Sequence, residues 1–210
     1  MWAAGLAAGG ALVAWWDVVG RGYVWLTSSV VVLVGVGLAL VEPGVAPWIG
    51  TGLAAAAVFV ASKRTFVAGL LAASAVFLLI AGTVDSPIVP LVTGAVFLGL
   101  VTTEMMLGHW FLVDPTLPRW SLNRLALIGG GGLLADVIYL TLSGAGSGGA
   151  DDPVLGMAYV ALTVMTALLM VGVYFSLREP SYTGVMAATG LSYLAVLTAF
   201  GVAVVGRMIV

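Results

Sequence analysis

The chain has no cysteine and a single histidine in 210 residues. The first absence excludes disulfides, thiol catalysis, cysteine–zinc sites and cysteine-ligated iron–sulfur clusters within the chain. The second leaves His109 as the sole imidazole, so a bis-histidine haem cannot be assembled here. A His/Met haem would need a methionine across the iron, and Met105 and Met106 stand on the same helix as His109. Charge is scarce as well. Charged residues make up 8%, where a soluble domain carries about a quarter. No basic run interleaved with aromatics is present, which excludes nucleic acid as a partner. No HExxH, nucleophilic serine arrangement or paired-carboxylate motif occurs either. The chain is therefore not expected to be an enzyme on its own, although it can serve as a non-catalytic subunit of an oxidoreductase.

What is there is apolar. Hydrophobic residues make up 62% of the chain, and mean hydropathy is +1.20. Such a surface belongs in lipid, so the expectation is an all-α integral membrane protein whose first partner is the bilayer. The apolar runs are continuous and lack two-residue alternation, which indicates helices and not a barrel. The N-terminus lacks the basic segment of a signal peptide, so its apolar start reads as a retained helix. About eight spans follow, each near the ~20 residues that cross ~30 Å of hydrocarbon: 2–19, 23–41, 46–62, 66–84, 87–108, 122–142, 153–177 and 183–206. The prolines fall in loops or first turns, where a missing N–H costs least. The seven tryptophans fall near span ends, at headgroup depth.

Charge sets the orientation. Arg21, Lys63, Arg64, Arg119, Arg124 and Arg178 fall after odd-numbered spans. The loops after spans two, four and six carry Glu42, Asp85, Asp151 and Asp152 and no cation. The positive-inside rule puts the odd-numbered loops in the cytoplasm and both termini outside, in a bacterial inner membrane. Arg207, at the C-terminal end, breaks the pattern.

An internal repeat is also visible. Trp15-Trp16-Asp17-Val18-Val19 aligns with His109-Trp110-Phe111-Leu112-Val113. At the same offset Gly35 falls on Gly129, Glu42 on Asp136 and Gly10 on Glu104. After the glycine-rich linker SGAGSGGADD, Ala68-Gly69-Leu70 aligns with Thr183-Gly184-Val185. Four spans per repeat make the repeats parallel. The reading is one transmembrane domain of two four-helix units, 1–85 and 86–210. Small residues four apart (Gly5 and Gly9, Ala95 and Gly99, Gly184 and Ala188) suit close helix packing.

Ionisable groups inside a bilayer are costly and point to function. Glu104 lies about one turn before the inner end of span five, and His109, Trp110 and Asp114 follow it. Histidine changes charge near neutrality, and a carboxyl beside an apolar slot at the interface can exchange protons. That combination suits a quinone, with His109 bonding a carbonyl and Glu104 relaying protons. The plainer reading is a charge-balanced inner rim, with Asp17 and Arg21 paired one turn apart and Asp114-Pro115 starting a tight turn, aspartate capping and proline at N1. A second candidate is the run Gly129, Gly130, Gly131 and Gly132 before Asp136. Four glycines weaken a helix by roughly 1 kcal/mol each, and a break beside a carboxylate suits a proton- or cation-coupled transporter. Its plainer reading is close helix packing, with Asp136 bonded to a hydroxyl such as that of Thr102, Thr163 or Tyr139. No metal site has recognised ligand spacing.

Two stretches, Gly108-His109-Trp110-Phe111-Leu112-Val113 and Ala187-Ala188-Thr189-Gly190-Leu191-Ser192-Tyr193, resemble elements of uncharacterised polytopic bacterial membrane proteins. The layout of two four-helix units without haem ligands is similar to the NrfD-like quinone-binding subunits of respiratory complexes, although this chain is shorter. That resemblance implies a haem-free membrane subunit of an electron-transfer complex, with quinone as a non-covalent ligand and other membrane or redox subunits as partners. The transporter, and a structural or assembly subunit without a ligand, are the alternatives.

Overall fold

A computed structural model describes residues 1–42, 44–84, 86–143 and 153–209. Pro43, Asp85, Asp151, Asp152 and most of the glycine-rich linker lie outside the described residues. Among those described there are eight helices and no strand: α1 (Trp2–Trp15), α2 (Arg21–Val41), α3 (Ala46–Phe59), α4 (Arg64–Gly82), α5 (Ile88–Val113), α6 (Arg119–Leu142), α7 (Pro153–Arg178) and α8 (Tyr182–Met208). Six of them, all but α1 and α3, are long and apolar enough to cross a membrane.

The two short helices correct the expected spans. Each has 14 residues, a rise of about 21 Å at 1.5 Å per residue. The first span was expected to reach residue 19. It stops at Trp15 because Asp17 takes a left-handed conformation, φ 57°, and its N–H turns back to the Ala14 carbonyl at 3.2 Å. Glycine usually fills that position, so the sequence carried no obvious stop. Asp17 and Arg21 consequently do not share a helix, so the geometry of a pair one helical turn apart does not apply to them. The third helix ends at Phe59 rather than 62, with Val60 donating to the Ala56 carbonyl at 3.1 Å. The fifth runs five residues further than expected, to Val113, which places His109 and Trp110 within the helix.

The described chain divides into two compact units, Met1–Ala95 and Val96–Val210. In the first, α1 packs on α2, α2 on α3, α3 on α4, and α4 closes on α1. Gly50 shows why α3 and α4 approach closely: a Cβ there would sit 2.8 Å from Leu78 Cγ and 3.1 Å from the Ser74 carbonyl. The Ser74 hydroxyl donates to the Gly50 carbonyl at 2.7 Å across the same contact. In the second unit, α6 packs on α7 and α7 on α8. The N-terminal part of α5 in this unit packs on α6 through Val101 and Phe97, and its C-terminal part meets α8 at Thr189.

Many large apolar side chains remain exposed on the helices, among them Leu33, Phe59, Leu142, Met157 and Leu197. A soluble monomer does not present apolar surface on this scale. The buried interior is built from small and aliphatic residues, and its polar members are mostly hydroxyls that bond their own helix. Thr102 and Thr103 donate to the carbonyls of Leu98 and Gly99, four residues back. Hydroxyls can enter an apolar interior at little cost in this way.

Candidate functional site

The sequence candidates separate into three settings in the second unit. The first is the α5–α8 seam. Glu104 is fully buried, and its Oε2 lies 2.5 Å from Ser192 Oγ. Ser192 Oγ also lies 2.8 Å from the Ala188 carbonyl. A serine hydroxyl has one proton. When it goes to the carbonyl, as the neighbouring threonine protons do, the carboxyl must donate to Ser192 and is a carboxylic acid. The other oxygen, Oε1, is buried without a partner, a smaller penalty for a carbonyl oxygen than for half of a carboxylate. In the first unit the aligned Gly10 leaves no space for such a side chain, since even a Cβ would lie 2.9 Å from Thr27 Cγ2.

His109 lies five residues on and is exposed. Its Nδ1 is 3.2 Å from Tyr193 Oη, and the rings meet edge-on with centroids 6.3 Å apart. Adjacent residues of α8 thus serve the two candidates on α5: Ser192 faces inward to Glu104, and Tyr193, 44% exposed, faces His109. Gly108 permits this approach, because a Cβ there would lie 2.8 Å from Thr189 Oγ1. If Tyr193 donates to Nδ1, the imidazole carries its proton on Nε2 and presents a donor outward. Trp110, half-buried, follows on α5.

Asp114 belongs to a different structure. Its Oδ1 accepts from the Thr116 N–H at 3.2 Å and the Thr116 hydroxyl at 2.6 Å, which closes the α5–α6 turn. The expected tight turn at Asp114 is present, but Pro115 does not open a helix; Pro118 precedes α6. None of Glu104, His109 and Asp114 bonds another of the three. Among the described residues no group of three His, Asp or Glu is placed to hold a metal ion.

The third setting is the glycine run and Asp136. The run does not break α6, which is helical from Arg119 through Leu142. Gly129 and Gly132 face α5, and a Cβ at Gly132 would lie 2.7 Å from the Phe97 backbone nitrogen. Gly130 and Gly131 face open space. This is the close-packing arrangement. Asp136 is fully buried, and it meets a cation that the sequence reading had not paired with it. Arg207 of α8 grips both oxygens, Nη2 to Oδ1 at 2.8 Å and Nη1 to Oδ2 at 3.2 Å. The cation that broke the charge pattern is the counter-ion of the buried acid.

Sequence reasoning therefore missed Ser192, Tyr193 and Arg207. Ser192 and Tyr193 stood in a stretch singled out only for resemblance. Arg207 carried a signal, as the one misplaced cation beside one unexplained membrane acid. Arg119 acts as a staple, donating to the carbonyls of Glu179 at 2.6 Å and Ser181 at 3.1 Å. Comparison with family models, curated proteins and solved structures gives no match.

Proposed function

We propose that this chain is a multi-pass inner-membrane protein with both termini outside, acting as a haem-free subunit of an electron-transfer complex. In this reading its second unit binds a quinone near the cytoplasmic face. The observation that carries the reading is the α5–α8 seam, where an exposed imidazole held by Tyr193 stands beside a buried carboxyl held by Ser192. A quinone carbonyl needs a donor at the edge of an apolar surface, and His109 Nε2–H supplies one when Tyr193 donates to Nδ1. Glu104 holds a proton one and a half turns deeper, where it can reload the outer pair. The exposed apolar helix faces support lipid contact, and the inner rim of Arg119, Arg124 and Arg178 supports the orientation.

The transport reading has less support, because the Asp136 carboxylate already has its cation and α6 is unbroken. The test is mass spectrometry of organic extracts from gently purified protein. Near-stoichiometric quinone in the wild type, lost in His109→Ala and kept in Asp136→Asn, is the expected result. Quinone absent from the wild type sinks the proposal.

A further inference from the structure

The register of the α5–α8 seam depends on a contact outside it. Three contacts step along the seam from its α5–α6 end. Tyr182 donates to the Leu112 carbonyl at 3.4 Å, Thr189 faces Gly108, and Ser192 meets Glu104. Residues 112 to 104 of α5 thus run against residues 182 to 192 of α8, which is antiparallel order. A helix advances about 1.5 Å per residue, while hydrogen-bond distances span about half an ångström. A slide of α8 by a single residue would therefore part Ser192 from Glu104 and Tyr193 from His109 together.

Arg119 is placed to prevent that slide. It opens α6, and its guanidinium carbon lies 6.0 Å from the centroid of the Phe111 ring, just beyond His109 on α5. From there Nη1 donates to the Glu179 carbonyl at 2.6 Å and Nη2 to the Ser181 carbonyl at 3.1 Å. Separate nitrogens of one planar fork on separate carbonyls fix direction as well as distance. Ser181 is also the cap of α8, where its hydroxyl accepts from the Gly184 N–H at 3.2 Å. Gly184 lets this turn press onto the end of α7, since a Cβ there would lie 2.7 Å from the Ser176 carbonyl oxygen and 2.8 Å from Glu179 Cβ. The turn that Arg119 grips is therefore closely packed, and the grip passes to the start of α8.

We propose that Arg119 is the positioning residue of the seam. It ties Phe111 of α5 to the cap of α8, and so sets the register at which Ser192 reaches Glu104 and Tyr193 reaches His109. It acts through helix placement and not through contact with the carboxyl or the imidazole. The inference rests on the preceding reading for what those side chains do, and on the seam alone for how they are held.

The experiment reads both side chains in the purified full chain, without added quinone. His109 is the sole histidine, so isotopic labelling of histidine gives a single imidazole whose tautomer is read by nitrogen NMR. Glu104 is read from the infrared carboxyl band that Glu104→Gln removes. The wild type should show a single tautomer and a sharp band. Arg119→Gln should give mixed tautomers and a shifted, broader band. Arg119→Lys should move both signals part of the way, because an ammonium lacks the fork that holds two carbonyls. Arg124→Gln removes a cation stacked on Trp120 of its own helix and should leave both signals at wild type. A lower melting temperature in Arg119→Gln with both signals unchanged overturns the proposal, since the staple is then structural only. Equal movement in Arg124→Gln overturns it as well, because loss of any cation at this end would then suffice. If Arg119→Gln does not fold, Arg119→Lys decides alone, and wild-type signals there overturn the assignment. Absence of quinone from the extracts would sink the proposed function and leave these outcomes unaffected.

Discussion

Removing either member of the Asp136–Arg207 pair should have unequal effects. Arg207→Ala leaves a fully buried carboxylate without its cation, and breaking a buried pair in this sense costs about 3–5 kcal/mol. Asp136→Ala leaves Arg207, whose side chain is already 25% exposed and sits one residue before the end of α8. An arginine there can turn to the interface, and the loss is that of a hydrogen bond to a charged group, about 1.5 kcal/mol. The expected result is a fall in melting temperature on the order of 10 °C for Arg207→Ala and a few degrees for Asp136→Ala. The double variant should lie closer to Asp136→Ala than to the sum, giving a large coupling in the cycle. Tryptophan fluorescence during heating in detergent measures all three variants. Equal single-variant losses, or additive ones, would refute the argument from burial.

Gly132→Ala should destabilise the protein by about 1–3 kcal/mol, because the new methyl meets the α5 backbone. Gly131→Ala should gain up to about 1 kcal/mol from helix propensity, and the same melting assay separates them. Infrared difference spectra should show a protonated carboxyl band that disappears in Glu104→Gln while the fold persists. The absence of native cysteine makes topology directly readable: Ser62→Cys should be labelled only from the cytoplasmic side, and Val45→Cys only from outside. The reverse pattern would invert the orientation.

The eight-helix pattern was legible in the sequence because continuous apolar runs, bounded by proline and charge, leave few other structures. The structural part played by Asp114 was legible too, since it holds the α5–α6 turn through contacts next to it in the chain. The stop at Trp15 was hidden, because an aspartate adopts the left-handed turn that glycine usually marks. The glycine run was ambiguous on composition: four glycines weaken a helix in isolation, yet at Gly132 they let α5 approach to backbone distance.

The sequence by itself determined that the chain is helical, strongly apolar and without cysteine or multi-histidine chemistry, because composition and period are local properties. Only the tertiary structure decided which buried group faces which. Glu104 meets Ser192 across 88 residues and Asp136 meets Arg207 across 71. The reason is physical: a buried polar group must find its partner through space, and in a bundle of antiparallel helices that partner lies on a neighbouring helix far along the chain.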